Sequence, residues 1–272
     1  MPDIQSQPPV LLEIDAAAGI ATITLHRPDA LNALDRPLSN ALRDSVSRVE
    51  RDEAVRAVVI QGAGKHFMAG GDVKTFHATL RDSAAERRLF FERFIGEVHD
   101  TVTRIRRMEK PVLASVQGAV AGFGLSLMNS CDLAIAADSA YFTMAYRNIG
   151  ASPDGSGTYG LPRIVGVKRA MELALLGDRF DAQRALDLGL VNWVVPPVEL
   201  ASATRQLATR LAAGPTRALG RTKRLLNESL SNNLASQLLA EQDSFASCTS
   251  DADFAIGLQA FIDRQEPRFT GA

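Results

Sequence analysis

Apolar and polar residues alternate from Val10 to Asp15 and again from Ile20 to Leu25, across a small Ala-Ala-Gly link. That pattern predicts a β-hairpin. His26-Arg27-Pro28-Asp29 ends the second strand, and Ala30-Leu-Asn-Ala-Leu34 leads into a helix expected over Arg36–Arg51. Ala57-Val-Val-Ile-Gln61 reads as a short buried strand. It runs into Gly62-Ala-Gly-Lys-His-Phe-Met-Ala-Gly-Gly-Asp72, too rich in glycine to be helix or strand throughout. A long charged amphipathic helix is expected from Arg81 to Lys110. Between Val112 and Cys131 there is no charged residue, a length that hydropathy alone assigns to a membrane span. Gln117, Asn129, three serines and three glycines break that run. It divides into a strand buried on both faces, Val112–Val116, a Gly-Ala-Val-Ala-Gly junction, and a small-residue helix from Gly122 to Ser130.

Further strands are expected at Leu133–Ala136, Tyr141–Thr143 and Val191–Val195, with helices at 167–176 and 181–188. Ser152-Pro-Asp-Gly-Ser-Gly157 punctuates a turn into a helix. After Pro197 the period is helical to about Arg264. Strands and crossovers up to residue 195, then only helices, define an α/β core with a helical C-terminal region, here divided as 1–195 and 196–272.

Composition narrows the function more than the fold. A net charge of −1 offers no basic surface for nucleic acid and no acidic tail for a basic partner. Cys131 and Cys248 have no CxxC spacing or histidine pattern, so neither a disulfide scaffold nor a metal site is expected, and a reducing cytoplasm is the default. The polar start Met-Pro-Asp-Ile-Gln-Ser-Gln lacks the basic and apolar regions of a signal peptide. The four histidines stand alone, three near loops and His99 on a helix. Gly118-x-x-x-Gly122-x-Gly124 matches neither a P-loop nor G-x-G-x-x-G, and Ser126 and Ser156 lack a G-x-S-x-G frame.

Three glycine-rich junctions, near residues 62–72, 118–124 and 153–157, each follow a strand. Loops after parallel strands converge at one sheet edge. There, backbone N–H groups at a glycine turn and a helix start can hold a developing oxyanion. The same glycines are equally explained as plain turns.

Taken in order, Leu25-His-Arg-Pro28 with Ala30-Leu-Asn-Ala-Leu34, Phe67-Met-Ala-Gly-Gly-Asp72, Lys110-Pro-Val-Leu-Ala-Ser-Val-Gln-Gly118, Ala121-Gly-Phe-Gly-Leu-Ser126, Cys131-Asp-Leu-Ala-Ile-Ala136, Ile149-Gly-Ala-Ser-Pro-Asp154 and Leu161-Pro-Arg-Ile-Val-Gly166 resemble the crotonase (enoyl-CoA hydratase/isomerase) superfamily over nearly the whole chain. The resemblance implies a crotonase-like repeated ββα spiral core with a C-terminal α-helical trimerisation region, and hence a homotrimer or dimer of trimers. It implies acyl-CoA thioester substrates, with coenzyme A as part of the substrate and no separate cofactor. Gly71 and Phe123 then supply the oxyanion-hole N–H groups, and His26, Arg27, Ala30, Leu31, Ala69 and Gly70 lie along the coenzyme A.

The chain departs from the pattern at the acid–base positions. Where hydratases of the family carry two glutamates, the matching residues are Ser126 and Tyr146; a third position, used by some isomerases, is Asp154. One carboxylate can move a proton between two carbons, whereas hydration calls for a pair that positions water. The expectation is therefore isomerisation with Asp154 as single acid and base. Several alternatives stay open: Asp154 as a helix N-cap, Tyr146 as pocket lining or proton donor, Ser126 as filler, and Asp72 as a loop-shaping residue. At the level of function they are a hydratase with non-standard groups, another reaction of the superfamily, and a CoA-ester-binding protein without catalysis. Phe76, Phe90, Phe91 and Phe94 hint at an apolar acyl pocket, although helix packing accounts for them as readily.

Overall fold

A computed structural model of the chain describes residues 7–272; the start of the polar N-terminus, read above as lacking a signal peptide, lies outside the described residues. Strands β1 (Val10–Asp15) and β2 (Ile20–Leu25) form the expected antiparallel hairpin. Beyond it, β2 pairs in parallel with β3 (Ala57–Gly62), which pairs with β4 (Val112–Val116), then β6 (Leu133–Ala137), then β9 (Trp193–Val195). All five β4 residues are buried, which is why that strand reads as an unbroken apolar run rather than an alternation.

Helix α1 (Arg36–Arg51) starts where the Asp35 carboxylate accepts from Leu38 N, with Pro37 in its first turn. It buries Leu38, Leu42, Val46 and Val49 as one stripe. The long helix expected from Arg81 to Lys110 forms as one helix, and a short separate helix precedes it. A short α2 (Val73–Ala78) is capped by the Asp72 carboxylate, and α3 (Ala84–Arg107) begins at Ser83 with a reciprocal capping box to Glu86. Helix α3 packs on α1 and buries Phe94, Val98, Val102 and Ile105.

The Gly-Ala-Val-Ala-Gly junction is not a simple turn. Ala119–Ala121 is a strand, β5, running parallel to β7 (Tyr141–Thr143), which pairs with the two-residue β8 (Phe180–Asp181) in a second, smaller sheet. The 62–72 loop, which continues β3, bridges in parallel from Met68 to Val120 of the second sheet and from Gly71 to Leu34. From β5 the chain enters α4 (Phe123–Ser130), buried on every side. The helix marked by the 152–157 turn, α5 (Gly157–Val165), packs on α4, followed by α6 (Val167–Leu176) and α7 (Ala182–Asp187).

Helix α8 (Leu200–Ala212) covers the main sheet. Ala208 and Ala212 pack on Ile20, Ala57 and Val59, and Leu200 packs on Leu113 and Ile135. The remaining helices are α9 (Thr216–Ser229), α10 (Leu234–Cys248) and α11 (Ala252–Asp263). Lys223 joins α9 to the core, donating to the carbonyls of Ile105 (2.7 Å) and Lys110 (3.1 Å) and pairing with Asp132 (2.8 Å). No helix among the described residues is long and apolar enough to cross a membrane.

Candidate active site

Residues 27–34 run beside residues 69–72. Ala69 N–H donates to Leu31 O, Leu34 N–H to Gly70 O, and Asp72 N–H to Leu34 O. In an extended segment successive N–H groups point to opposite sides, so the N–H of Gly71 faces away from Leu34. Asn32, fully buried at φ 53°, fixes the turn by donating its side-chain amide to the carbonyls of Ala63, His66 and Phe67.

Phe123 opens α4, where the first-turn N–H groups have no intrahelical acceptor. The residue before it, Gly122, has φ 52° and ψ −121°, a conformation essentially reserved for glycine. Gly70 lies against this turn: a Cβ on it would stand 3.2 Å from Ala121 O and 3.7 Å from Phe123 N. The Gly71 and Phe123 N–H groups therefore meet at one edge, and neither donates to another group among the described residues. Two free donors at a helix start are an oxyanion-binding arrangement.

Opposite them three side chains converge. Tyr146 Oη donates to Asp154 Oδ1 at 2.5 Å and lies 3.5 Å from Ser126 Oγ; Ser126 Oγ donates to the Asp154 carbonyl at 3.0 Å. Ser126, Tyr146 and Asp154, the three positions singled out in the sequence, thus share one site. Burial holds the Asp154 carboxyl above its ordinary value, and the Tyr146 hydrogen bond pulls it down without cancelling that effect. Burial and the adjacent Asp154 push the Tyr146 phenol up, which keeps it a neutral donor.

Asp154 is not the cap of α5. That place belongs to Ser156, at φ 68° with no side-chain capping bond, while the Asp154 carboxylate points to Tyr146. Asp72 shapes its loop instead, accepting from Lys74 N, Thr75 N and the Arg27 guanidinium.

Beside the donors stands an aromatic wall. A Cβ on Gly71 would meet Phe76 Cζ at 2.4 Å, so the Phe76 ring touches the oxyanion edge. Phe76 packs edge-on to Phe91 (5.0 Å between centroids), Phe91 to Phe90 (5.2 Å), and Phe90 stacks on Phe94 at 6.0 Å. Phe94 is buried in the core, while the other three are half-buried.

The residues expected along coenzyme A differ in availability. Leu31 is exposed at φ 54°, and Ala30, Ala69 and Gly70 are neighbours of it along the paired segments. His26 sits 3.3 Å from Pro8 O. The Arg27 guanidinium is turned inward to Ala33 O (2.5 Å), Asp35 and Asp72 (3.1 Å each) and holds the loop together. One residue at this site carried no signal of its own: His99, on α3, accepts from Gly155 N–H through Nε2 at 3.2 Å.

Two sheets joined through glycine junctions, with paired backbone donors facing a buried acid, are the architecture of an acyl-thioester enzyme of the crotonase fold. The family model described as Enoyl-CoA hydratase/isomerase matches residues 15–272, and the chain belongs to that family, within the crotonase superfamily. It is 38% identical over 253 residues to the 1,2-epoxyphenylacetyl-CoA isomerase of Escherichia coli K12, covering 93% of this chain and 95% of that one. With the crotonyl-CoA hydratase of Syntrophomonas wolfei it shares 35% identity, covering 92% and 94%. The crystal structure of an enoyl-CoA hydratase from Polaromonas sp. JS666 superposes with a TM-score of 0.89 at 34% identity, covering 96% of this chain and 99% of that one.

Proposed function

We propose that the chain isomerises an acyl-CoA, using Asp154 as its single acid and base. The observation that carries this reading is that Ser126, Tyr146 and Asp154 meet at one point and only one of them is a carboxylate. The thioester oxygen accepts from Gly71 N–H and Phe123 N–H. The ionised Asp154 takes a proton from the α- or γ-carbon, and the electron pair moves onto the thioester oxygen as an enolate. The same carboxyl returns the proton at the other carbon, so the double bond moves and nothing is added or lost. A base with a raised pKa suits this task, since it must take a weakly acidic carbon proton and give it back near neutral pH.

His26, Arg27, Ala30, Leu31, Ala69 and Gly70 form the coenzyme A edge in this proposal, with Arg27 acting through the loop that its guanidinium braces. The Phe76–Phe91–Phe90 wall supports an apolar or aromatic acyl group. The isomerase named above as a relative supports the same direction. Two free cysteines fit a reducing, cytoplasmic setting. Exposed apolar residues along α9 and α10, among them Leu226, Leu230, Leu234, Leu239 and Phe245, support self-association, as a trimer or a dimer of trimers.

The test is Asp154→Asn against a panel of 2-enoyl, 3-enoyl and aromatic CoA thioesters, followed by mass and by α-proton exchange. Turnover should fall at least about a hundredfold; unchanged turnover on a substrate that the wild type handles ends the assignment. Hydration is the second reading, favoured by the hydratase relatives and by a phenol in hydrogen-bond contact with the acid. Crotonyl-CoA in heavy-oxygen water separates the two, because only hydration places solvent oxygen at carbon three.

A further inference from the structure

The peptide bond between Asp154 and Gly155 is held at both ends by different helices. On the carbonyl side, Asp154 O accepts from Ser126 Oγ of α4 (3.0 Å) and from Gly157 N–H (2.9 Å). On the amide side, Gly155 N–H donates to His99 Nε2 of α3 (3.2 Å). The stretch between needs such restraint. Gly155 and Ser156 are consecutive residues in the left-handed region, at φ 56° and 68°, and Ser156 has no glycine's freedom there. Gly155 is also wedged against Phe123 and Ser126: a Cβ on it would sit 2.6 Å from the Phe123 ring.

A displacement of the 154–155 peptide would carry the Asp154 Cα, and with it the side chain, relative to the Phe123 N–H. Ser126 resists that displacement from one side and His99 from the other. The imidazole can do this only as the tautomer with its proton on Nδ1, because Nε2 must be the acceptor.

We infer that His99 is a positioning residue for the proposed base: it clamps the Gly155 N–H and so fixes the direction in which Asp154 presents its carboxylate to the acyl carbons. This inference rests on the reading of Asp154 as the acid–base group. His99 does not touch the substrate in this role, so its loss reduces turnover rather than binding. A displacement of about 1 Å in a catalytic group costs on the order of a hundredfold.

The experiment compares His99→Ala, His99→Gln and Asp154→Asn on one substrate, with hydrogen exchange measured by mass on the peptide spanning residues 152–157. His99 is exposed on a helix face, where Ala and Gln are both good helix formers, so both variants keep the fold. In His99→Ala, kcat falls about 10- to 100-fold with KM changed less than about threefold, and amide exchange at 152–157 speeds up. In His99→Gln, whose side-chain oxygen reaches the place of Nε2, kcat and protection largely return. The clamp is overturned if His99→Ala keeps wild-type kcat, or if His99→Gln is as slow as His99→Ala, while Asp154→Asn abolishes turnover. If Asp154→Asn itself retains turnover, the base assignment falls instead. Amide exchange then decides the clamp alone: faster in His99→Ala and restored in His99→Gln upholds it, unchanged exchange overturns it.

Discussion

The Tyr146 hydroxyl donates to the Asp154 carboxylate at 2.5 Å, and so lowers the pKa of a group that burial raises. Removing the hydroxyl leaves burial unopposed by that bond. In Tyr146→Phe the carboxyl therefore stays protonated to higher pH, and the rise of kcat/KM with pH, which follows ionisation of the proposed base, moves to higher pH. A pH–rate profile of kcat/KM for the two enzymes checks the direction; a shift toward acid would contradict the geometry.

Because the folded-state pKa of Asp154 lies above its ordinary value, the folded protein binds that proton more tightly than the unfolded chain does. Raising the pH through that folded pKa therefore removes stability. Asp154→Asn, which carries no charge to bury, is expected to melt higher than the wild type at pH 7 to 8. The difference should shrink as the pH is lowered toward the unfolded value. Thermal unfolding of both proteins at several pH values measures it, and the catalytic loss accompanies the gain.

Local signals accounted for much of the fold. Helix α1 was legible to both ends because Asp35 caps it, Pro37 suits its first turn and its apolar stripe has a helical period. Strand β4 was legible as a charge-free β-branched run. The Ser83–Glu86 spacing is a capping-box signature that marks the start of α3, and it outweighs the charged residues before it. Strands β5 and β8 were not legible, since two or three residues have no period. The turn into helix α5 was legible at 152–157, but its extent was masked by Gly160 and Pro162, and its start at Ser156 has no capping side chain. The candidate site divides in the same way. A glycine turn before a helix could be read locally, but which N–H groups are left unpaired depends on the Leu34–Gly71 bridge. The role of His99 depends on a residue 56 positions away.

Gly122 offers a test of the oxyanion edge. A Cβ there meets nothing closer than 3.5 Å, so the cost of Gly122→Ala is conformational rather than steric. At φ 52° and ψ −121° that cost is about 1–3 kcal/mol. Relaxing it turns the Phe123 N–H away. The expected outcome is a lower melting temperature together with a fall in kcat of at least about tenfold, measured on the same preparation by calorimetry and by turnover.

Lys223 is nine-tenths buried and satisfied by two carbonyls and Asp132. Lys223→Ala leaves Asp132 without its counter-charge and frees α9 from the core. Breaking a buried pair of this kind costs about 3 kcal/mol or more, so denaturant unfolding should show a lower midpoint with full secondary structure in the native baseline.

The assembly proposed above, through the apolar face of α9 and α10, predicts three or six chains in light scattering coupled to size exclusion. Replacing Leu239 and Phe245, exposed at 67% and 69%, by Asp should reduce the assembled fraction. An unchanged mass would exclude that face from the assembly.

The sheet order β1-β2-β3-β4-β6-β9, with a second sheet bridged to the 62–72 loop at Met68, places Gly71, His99, Phe123, Tyr146 and Asp154 together although 83 positions separate the first from the last. A fragment spanning only these residues lacks β1, β2, β3, β9 and the Leu34 that pairs with Gly71. During refolding, helices such as α1 and α3 can form early from local contacts, whereas the parallel pairings arrive late. Recovered turnover should therefore lag recovered helicity, and enzyme activity becomes a clock for the last stage of chain assembly rather than for its collapse.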